Sequence, residues 1–282
     1  MESMGRRAVA LVAAAVLASG CASTRNYPDP AGPRFSGVFT RTAVPREHGL
    51  RVVTFNVKYA IHAAGAAALL QSDPHLAGAD VITLQEMDEA GTELNARTLG
   101  VNYVYYPAVV HPANHRNFGD AILSPWPLED DFKILLPHLG RLRKSLRIAV
   151  GATVRVPGRE PVRVYSVHLE TPSSISGRAR RDQAQAIIAD AARHPRVVVG
   201  GDFNSRGILE VFARSGFGWL TRRIGPTISR FSWDHVAVKG FRLADCASVG
   251  ALTTARQVSD HRPVWADLVD ADGTAVAAAA CP

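Results

Sequence analysis

The chain has few cysteines and only short apolar runs. Only three of its 282 residues are cysteine, and no Cys-x-x-Cys pair or Cys/His spacing suggests a zinc site. The longest apolar run, residues 8–18, has eleven residues, whereas a membrane-spanning helix needs about twenty. Lysine is also scarce, since only four of the 32 basic residues are lysine. That bias toward arginine does not by itself identify a function.

The composition that is present is that of a folded domain. Hydrophobic residues make up 47% of the chain and charged residues 20%, which excludes wholesale disorder. A chain of 282 residues forms one large domain or two small ones. The formal net charge of +7 suits an anionic substrate but does not require one.

The N-terminus has the pattern of a bacterial export signal. Arg6 and Arg7 precede the apolar run, and Ser19 and Gly20 stand directly before Cys21. This resembles a lipoprotein cleavage box, with Ala18 where leucine is commoner. We therefore predict a signal peptide at 1–20 and a lipid anchor on Cys21, which would hold the protein at the cell envelope on the extracytoplasmic side. An ordinary secretory signal is the alternative, and it would make the protein secreted.

The remaining chain divides into three parts by composition. Residues 21–47 contain four prolines among glycines and polar residues, which is typical of a flexible tether. Residues 48–270 form the predicted domain, and 271–282 form a small-residue tail. Cys246 and Cys281 could pair in an oxidising compartment, or they could be one buried thiol and one free thiol.

Short apolar runs alternate with helical stretches along the predicted domain. Nine runs that are β-branched or alternating predict strands near 51–57, 79–85, 102–108, 118–124, 147–156, 162–169, 196–203, 233–238 and 262–269. Helices are predicted over 60–71, 90–99 and 178–193. Hairpin-length and crossover-length connections are mixed, which favours an α/β or α+β fold with mixed sheets.

Polar side chains follow many of these strands at the point where each apolar run stops. Each of them taken singly could be a bulge or turn residue, a solvated strand end, the cap of a turn or a buried histidine with satisfied hydrogen bonds. Strand ends are also where a rigid scaffold presents functional groups to one cleft. The residues concerned, in chain order, are Asn56, Glu86, His168, Asp202, Asn204, Asp234, His235, Asp260 and His261.

In that order the motifs resemble the endonuclease/exonuclease/phosphatase superfamily of metal-dependent phosphoesterases. The resemblance covers residues 50–268 and implies a four-layer sandwich, in which two mixed β-sheets pack face to face with helices outside. Asp120 is a departure, because asparagine is common at that position. The matching motifs are TFNV at 54–57, LQE at 84–86, FGDAILS at 118–124, VHL at 167–169, GDFN at 201–204, WDHV at 233–236 and SDH at 259–261.

The resemblance implies a divalent-metal site. Glu86 would be the principal ligand, with Asn56 and Asp260 near it. Carboxylate and amide oxygens suit Mg²⁺, with Mn²⁺ as the other candidate.

The resemblance also implies catalytic roles for the remaining side chains. Asp202 would orient and deprotonate the attacking water, and Asn204 would hold a phosphate oxygen. His261 would contact the phosphate, with Asp234 fixing its tautomer. His168 and Arg147 would add further phosphate contacts. His235 would face away from the site, because side chains alternate along a strand.

Three functions remain open at this point. The first is a metal-dependent phosphodiesterase or phosphatase outside the cytosol, whose substrate could be nucleic acid, a phospholipid head group or an inositol phosphate. The second is an extracellular or periplasmic nuclease, for which the basic segments 141–147 and 177–181 could track a phosphate backbone or simply be solvated arginines. The third is a non-enzymatic binding scaffold. A monomer without a protein partner is expected, held at the membrane by its lipid anchor.

Overall fold

A computed structural model of the protein describes residues 24–40, 44–46, 49–253 and 255–271. The predicted signal peptide, Cys21 and residues 272–282 of the predicted tail lie outside these ranges. No helix within the ranges is long and apolar enough to cross a membrane.

The described residues form fifteen strands, four α-helices and two short 3₁₀ helices, the latter at Arg206–Ile208 and Ala255–Gln257. The strands are β1 (Arg25–Asn26), β2 (Phe35–Gly37), β3 (Leu50–Asn56), β4 (Val81–Met87), β5 (Asn102–Val110), β6 (Asn117–Ser124), β7 (Leu128–Leu135), β8 (Ile148–Val154), β9 (Val162–His168), β10 (Val197–Asp202), β11 (Gly218–Trp219), β12 (Asp234–Lys239), β13 (Phe241–Leu243), β14 (Val249–Ala251) and β15 (Val264–Asp270). The helices are α1 (Ala63–Ser72), α2 (Glu89–Leu99), α3 (Gly177–Ala191) and α4 (Leu209–Arg214).

The strands make two mixed sheets. The first has nine strands in the order β1-β5-β6-β4-β3-β15-β13, with β2 paired to β5 and β14 to β15. The second has six strands in the order β11-β12-β10-β9-β8-β7. The pairs β3–β4 and β9–β10 are parallel and the others are antiparallel, so each sheet has one parallel pair at its centre.

Three apolar clusters hold the layers together. The central one contains Val52 and Ile122 of the first sheet with Val164 and Val198 of the second, so the sheets pack face to face. The other two cover the outer faces, where α1 and α2 lie on the first sheet and α3 and α4 on the second. The four-layer sandwich is therefore confirmed.

Most predicted elements are confirmed, and the strands missed by prediction lie at the sheet edges. β7 has the sequence LEDDFKIL. Its three consecutive acidic residues, Glu129–Asp131, interrupt the alternation of apolar and polar side chains by which a strand is predicted. Charged side chains are common on edge strands because they discourage pairing with other chains. β13 and β14 have only three residues each, which is too short for a periodic signal.

The segment 24–40 corrects the predicted tether. β1 pairs with β5 at Val109 and Val110, and β2 pairs with β5 at Tyr103–Tyr105. The Lys133 ammonium, which is 3% exposed, donates to the carbonyls of Tyr27 and Gly32 at 3.0 and 2.7 Å. The prolines and glycines that predicted a tether instead shape a segment that extends the first sheet, because the open edge of β5 supplies unpaired backbone groups.

Two consecutive glycines in β10, beside the polar strand ends, allow close approach of the facing sheet at Gly200 and of the neighbouring strand at Gly201. A Cβ atom on Gly200 would lie 2.6 Å from Oγ1 of Thr83 in the facing sheet. A Cβ atom on Gly201 would lie 2.0 Å from the carbonyl oxygen of Val167 in the neighbouring strand. The apolar run VVVGGDF therefore brings Asp202 within reach of residues from the first sheet.

Cys246 is disulfide-bonded. The other two cysteines of the chain, Cys21 and Cys281, both lie outside the described residues. Pairing with Cys281 therefore stays a prediction.

Candidate active site

The polar strand ends converge at one edge of the sandwich. Asn56 ends β3 and Glu86 lies near the end of β4 in the first sheet, while His168 ends β9 and Asp202 ends β10 in the second. Asp234 begins β12, which runs antiparallel to β10 and so starts at the same edge. The convergence predicted from the sequence is observed, although the chain separates some of these residues by more than a hundred positions.

Strand register places three of the residues side by side. Asp202 is the direct partner of His168 on β9 and of Asp234 on β12. Its Oδ2 atom lies 3.6 Å from Nε2 of His168 and 3.7 Å from Nε2 of His261. Asn56 donates to the same oxygen from the opposite sheet at 3.2 Å. One carboxylate oxygen thus has two imidazoles and an amide around it.

His261 is held by a buried carboxylate. Its Nδ1 lies 3.0 and 2.9 Å from the two oxygens of Asp234, which is fully buried. Burial opposes the charged imidazole, but the charge of Asp234 and its hydrogen bond outweigh it and raise the pKa of His261 to about 10. The imidazole is therefore cationic at neutral pH, with Nε2 directed toward Asp202.

Ser259 fixes the turn that delivers His261. Its hydroxyl donates to the carbonyl of Asn56 at 2.8 Å and accepts from the backbone N–H of His261 at 3.2 Å. The first residue of the SDH motif thus ties the turn to the end of β3.

The surroundings of Asp202 disfavour the charged form of its carboxyl group. Burial raises its pKa most, the neighbouring charge of Asp234 raises it further, and His261 opposes both, which leaves the pKa at about 7. Its Oδ1 accepts from the backbone N–H of Asn204 at 2.8 Å, and Asn204 donates its side-chain N–H to the carbonyl of Leu169 at 2.9 Å. Asn204 has a left-handed backbone with φ of 50°, which this tight turn requires.

His168 and Arg147 form a corner of the site whose positive charge comes from Arg147. Nη1 of Arg147 lies 2.9 Å from Nδ1 of His168. Burial, the charge of Arg147 and the charge of His261 lower the pKa of His168 well below its usual value, so this imidazole is neutral. The pair of histidines thus divides into one cationic and one neutral ring.

Sequence reasoning missed Glu170, which orients Arg147. Its side chain is 3% exposed, and Oε2 lies 3.4 Å from Nε of Arg147. The backbone N–H of Glu170 donates to Oε1 of Gln183 on α3 at 3.0 Å. Its position two residues after His168, in VHLETP, is the only sequence signal that could have drawn attention to it.

Glu86 lies in a strained part of the backbone. Its φ is 59°, at a point where the β4–β6 register shifts between Leu84 and Met87. Lys58, Tyr59 and Ala60 are also left-handed, with φ of 42°, 55° and 51°. Such strain persists where the surroundings hold a functional geometry in place.

The strained residues direct backbone N–H groups at the site. Tyr59 donates its N–H to Oε2 of Glu86 at 3.1 Å, and Asn56 donates its amide to Oε1 at 3.1 Å. The N–H of Lys58 donates to Oδ1 of Asn56 at 3.0 Å. Burial raises the pKa of Glu86, and these hydrogen bonds and the charge of Arg147 only partly offset it.

Asp260 lies at the rim of the site. Its side chain is 46% exposed and pairs with Lys58 at 3.2 Å, while the adjacent His261 is 5% exposed. Both residues line the same cavity. The turn therefore places one side chain inside the cavity and the other at its mouth.

The donor set on this side fits a hard divalent cation. Among the described residues Glu86 forms no salt bridge and so offers a carboxylate, Asp260 offers a second one, and Asn56 offers an amide oxygen that accepts from the N–H of Lys58. Asp202, Asp234 and His261 also have ligand atoms within 4.8 Å of one another. His261 would supply a nitrogen ligand, whereas a hard divalent cation prefers oxygen, so the donor chemistry favours the side of Glu86.

The site opens into a cavity of about 570 Å³. Glu86, Arg147, His168, Asp202, Asn204, Asp260 and His261 all line it. Asn56 and Asp234 lie behind this lining and act on it through hydrogen bonds. Phe118 adds an aromatic wall, with its ring centroid 5.8 Å from that of His168. Through Thr171, Asn204 and Trp233 the cavity adjoins a second one of about 840 Å³.

His235 faces away from the cavity, as alternation along β12 predicts. It is fully buried, and its Nδ1 lies 3.0 Å from Oγ1 of Thr221. Burial lowers its pKa to about 4, so it is a neutral core residue.

Asp120 is a buried carboxylate beneath the site. It is 1% exposed, and its Oδ2 has no hydrogen-bond partner among the described residues. Burial raises its pKa well above the usual value, and the charge of Arg147 only partly opposes this.

The chain belongs to the endonuclease/exonuclease/phosphatase family, whose sequence profile matches residues 53–261. Members of this family are generally metal-dependent phosphoester hydrolases. No curated protein has a significant sequence match to the chain.

Solved structures share the fold at low sequence identity. An endonuclease/exonuclease/phosphatase from Beutenbergia cavernae is 20% identical with a TM-score of 0.64, over 79% of this chain and 72% of that one. Sphingomyelinase C from Streptomyces griseocarneus is 19% identical with a TM-score of 0.57, over 78% and 99%. TDP2 from D. rerio, complexed with a single-strand DNA product, is 17% identical with a TM-score of 0.58, over 78% and 98%.

Proposed function

We propose that the protein is a divalent-metal-dependent hydrolase of phosphate diesters that acts outside the cytosol. The observation that carries this proposal is the complete set of acid, amide and imidazole groups around one cavity. A binding scaffold on the same fold would have no need to keep a buried Asp234–His261 pair, which is costly to bury. Export and lipidation at Cys21 rest on the sequence pattern alone and are part of the same proposal.

In this proposal Asp202 orients the attacking water and accepts its proton. Its pKa of about 7 suits a general base near neutral pH. Neutral His168 and cationic His261 flank Asp202 Oδ2, so both can donate to phosphoryl oxygens placed against this carboxylate. Arg147, oriented by Glu170, adds positive charge at the same corner.

Glu86, with Asn56 and Asp260 near it, would hold Mg²⁺ or Mn²⁺. Bound there, the ion would neutralise developing charge on the phosphoryl group and steady the leaving oxygen. Asn56 links this side to the base, because its amide donates to both Glu86 and Asp202.

The test is hydrolysis by the purified chain beginning at residue 22, which keeps every described residue. We expect release of product from bis-p-nitrophenyl phosphate with Mg²⁺ or Mn²⁺, and none with EDTA. Plasmid DNA, RNA, phosphatidylinositol phosphates, sphingomyelin and phosphatidylglycerol complete the panel. Cleavage of nucleic acid alone would identify a nuclease, whereas metal binding without any cleavage would support a scaffold and contradict the proposal.

A further inference from the structure

The loop between β7 and β8 exposes leucines among cations. We call residues 137–145 the rim loop. Leu142 is 91% exposed and Leu139 is 45% exposed, although both are large apolar side chains. Arg141, Arg143 and Lys144 are exposed around them. Apolar side chains set among cations are typical of segments that enter the interface of an anionic membrane.

The rim loop is held rigidly enough to present these side chains. Lys144 donates its N–H to the carbonyl of Gly140 at 2.9 Å, and Gly140 donates to the carbonyl of Ser145 at 3.0 Å. A Cβ atom on Gly140 would lie 2.9 Å from Oε2 of Glu170, so the base of the loop packs tightly against the active site. Gln183 fixes the other end by donating to the carbonyl of Pro137 at 2.9 Å. Leu142 therefore points outward from an anchored turn.

The same loop forms one wall of the catalytic cavity. Arg143 and Ser145 line the cavity, and so do the following residues Leu146 and Arg147. A surface that received the rim loop would consequently lie across the mouth of the cavity. A phosphate group in that surface would be close to the positive corner formed by Arg147 and His168.

The start of the described chain lies against this loop. The N–H of Thr24 donates to the carbonyl of Arg143 at 2.9 Å, and the side chain of Asn26 bonds the backbone of Lys144 and Leu146 at 2.8 and 2.9 Å. Thr24 also lines the cavity. Cys21 is three residues earlier, and three residues span at most about 11 Å. A lipid attached to Cys21 would therefore insert beside the cavity mouth.

A nucleic acid fits this surface less well than a bilayer does. The phosphates of a nucleic acid could pair with the cations of the rim loop. The phosphate backbone is hydrated, however, so contact with it would leave Leu142 exposed to water. The rim loop has no Phe, Tyr or Trp to stack on a base, and its one imidazole, His138, pairs with Asp182. A bilayer satisfies both the leucines and the cations, because apolar chains lie directly beneath anionic head groups.

We propose that the rim loop docks the protein on an anionic phospholipid bilayer and turns the cavity toward its head groups. The substrate class that follows is the phosphodiester of a phospholipid at that surface. Docking stands on the loop itself, whereas the substrate assignment rests on the proposed hydrolase function.

Docking is tested with the chain beginning at residue 22, which carries no lipid. Its partition onto phosphatidylcholine vesicles with and without phosphatidylglycerol is measured by flotation. We expect the wild type to bind only vesicles that contain phosphatidylglycerol. Leu142→Ser should bind them about tenfold more weakly. Arg141→Gln should bind about fivefold more weakly at low salt, and high salt should remove this difference from the wild type.

Val38→Ser is the matched control. Val38 is an apolar side chain that is 82% exposed, as Leu142 is exposed. It follows β2, which pairs near the start of β5, whereas the cavity lies near the end of β5. Val38 is therefore away from the cavity mouth. Its partition should equal that of the wild type. Equal binding of Leu142→Ser and wild type, or no binding of either to phosphatidylglycerol vesicles, would overturn the docking proposal.

The substrate assignment is tested by hydrolysis of phosphatidylglycerol in vesicles against hydrolysis of bis-p-nitrophenyl phosphate. Leu142→Ser should slow the first about tenfold and leave the second unchanged, because only the first needs docking. Hydrolysis of DNA or RNA without hydrolysis of phospholipid would overturn the assignment. Failure to cleave the soluble diester or any other ester would instead overturn the proposed function, and the flotation result would still decide docking.

Discussion

The two walls of the cavity carry similar carboxylates but compensate their charges in different ways. We call Asn56, Glu86 and Asp260 the acidic wall, and His168, Asp202, Asp234 and His261 the imidazole wall. Asn56 and Asp234 lie behind the cavity lining and are counted with the residues to which they hydrogen-bond. On the imidazole wall, Asp234 has a cationic partner, because both of its oxygens lie within 3.0 Å of His261. On the acidic wall, the hydrogen bonds that Glu86 receives from the described residues are neutral and come from Asn56 and Tyr59.

The difference suits one wall to binding a metal cation and the other to holding or transferring a proton. A partly buried carboxylate whose charge is only partly offset is costly, and its pKa rises as that of Glu86 does. A bound divalent ion would relieve this cost. The buried His261–Asp234 pair has no such need, since its charges already neutralise one another within the protein.

Asp202 stands where the two walls meet, and its substitution should have the largest effect. Asp202→Ala should lower kcat with bis-p-nitrophenyl phosphate by about 10³-fold, because among the described residues no other carboxylate lies against both imidazoles. Metal affinity, measured by calorimetry, should change far less than kcat. If Asp202→Ala kept wild-type turnover, Asp202 could not be the general base.

Glu86→Gln should break the acidic wall as a metal site. Affinity for Mn²⁺, measured by calorimetry, should fall at least about 100-fold, since even the outer partners of metal ligands contribute 10- to 100-fold. The exposed carboxylate Glu129, ion-paired with Arg155, gives the control Glu129→Gln, which should bind the metal normally. If Glu86→Gln bound Mn²⁺ with unchanged affinity, the metal would have to bind outside the acidic wall.

The same variant should be more stable than the wild type when metal is removed. A carboxyl group whose folded pKa is raised contributes stability at low pH that is lost as pH rises above its unfolded value. In EDTA at pH 8 the free energy of unfolding of Glu86→Gln should therefore exceed that of the wild type, and the difference should shrink toward pH 4. Urea unfolding at the two pH values measures it.

Asp234→Asn is the corresponding change on the imidazole wall, and its effect on stability should have the opposite sign. His261 has a raised pKa of about 10, so it contributes stability that is complete below pH 6.5 and is lost as pH rises through about 10. Without Asp234 the free energy of unfolding at pH 7 should fall by about 3 kcal/mol. A gain in stability at pH 7 would contradict the assigned His261–Asp234 pair.

The activity of Asp234→Asn should also change with a characteristic pH dependence. Turnover should fall about 100-fold as His261 loses its orientation. The alkaline limb of the pH–rate profile should move to lower pH, because Asp234 raises the pKa of His261 and the proposed mechanism needs this ring as a cation. A fall in turnover without any shift of the profile would indicate a structural effect alone.

The smallest expected effect concerns Asp120, the buried carboxylate outside both walls. Asp120→Asn should raise the free energy of unfolding at pH 8 by about 1–2 kcal/mol, because Oδ2 has no hydrogen-bond partner in the described structure. The gain should be lost toward pH 4, since the folded pKa is raised. A loss of stability at pH 8 would show that this carboxylate has a favourable partner.

Many site residues could be predicted because they sit in short motifs at the ends of recognisable strands. GDFN and SDH identify Asp202 and His261 from local sequence, and the strands that carry them have clear apolar runs. Glu170 could not be predicted, because its function depends on Arg147, which lies more than twenty residues away and packs beside it only in the fold. The segment 24–40 was misjudged for a similar reason, since its pairing depends on the distant edge of β5.

The sequence by itself determined the fold class and the types of side chain at the site, because strand periodicity and motif order are local properties of the chain. Only the tertiary structure decided which of two chemically equal groups is charged and which is neutral. His168 and His261 are both buried imidazoles, but one lies beside Arg147 and the other beside Asp234. Burial and the sign of the nearest charge set the pKa of each ring, and both depend on contacts between residues distant in the chain.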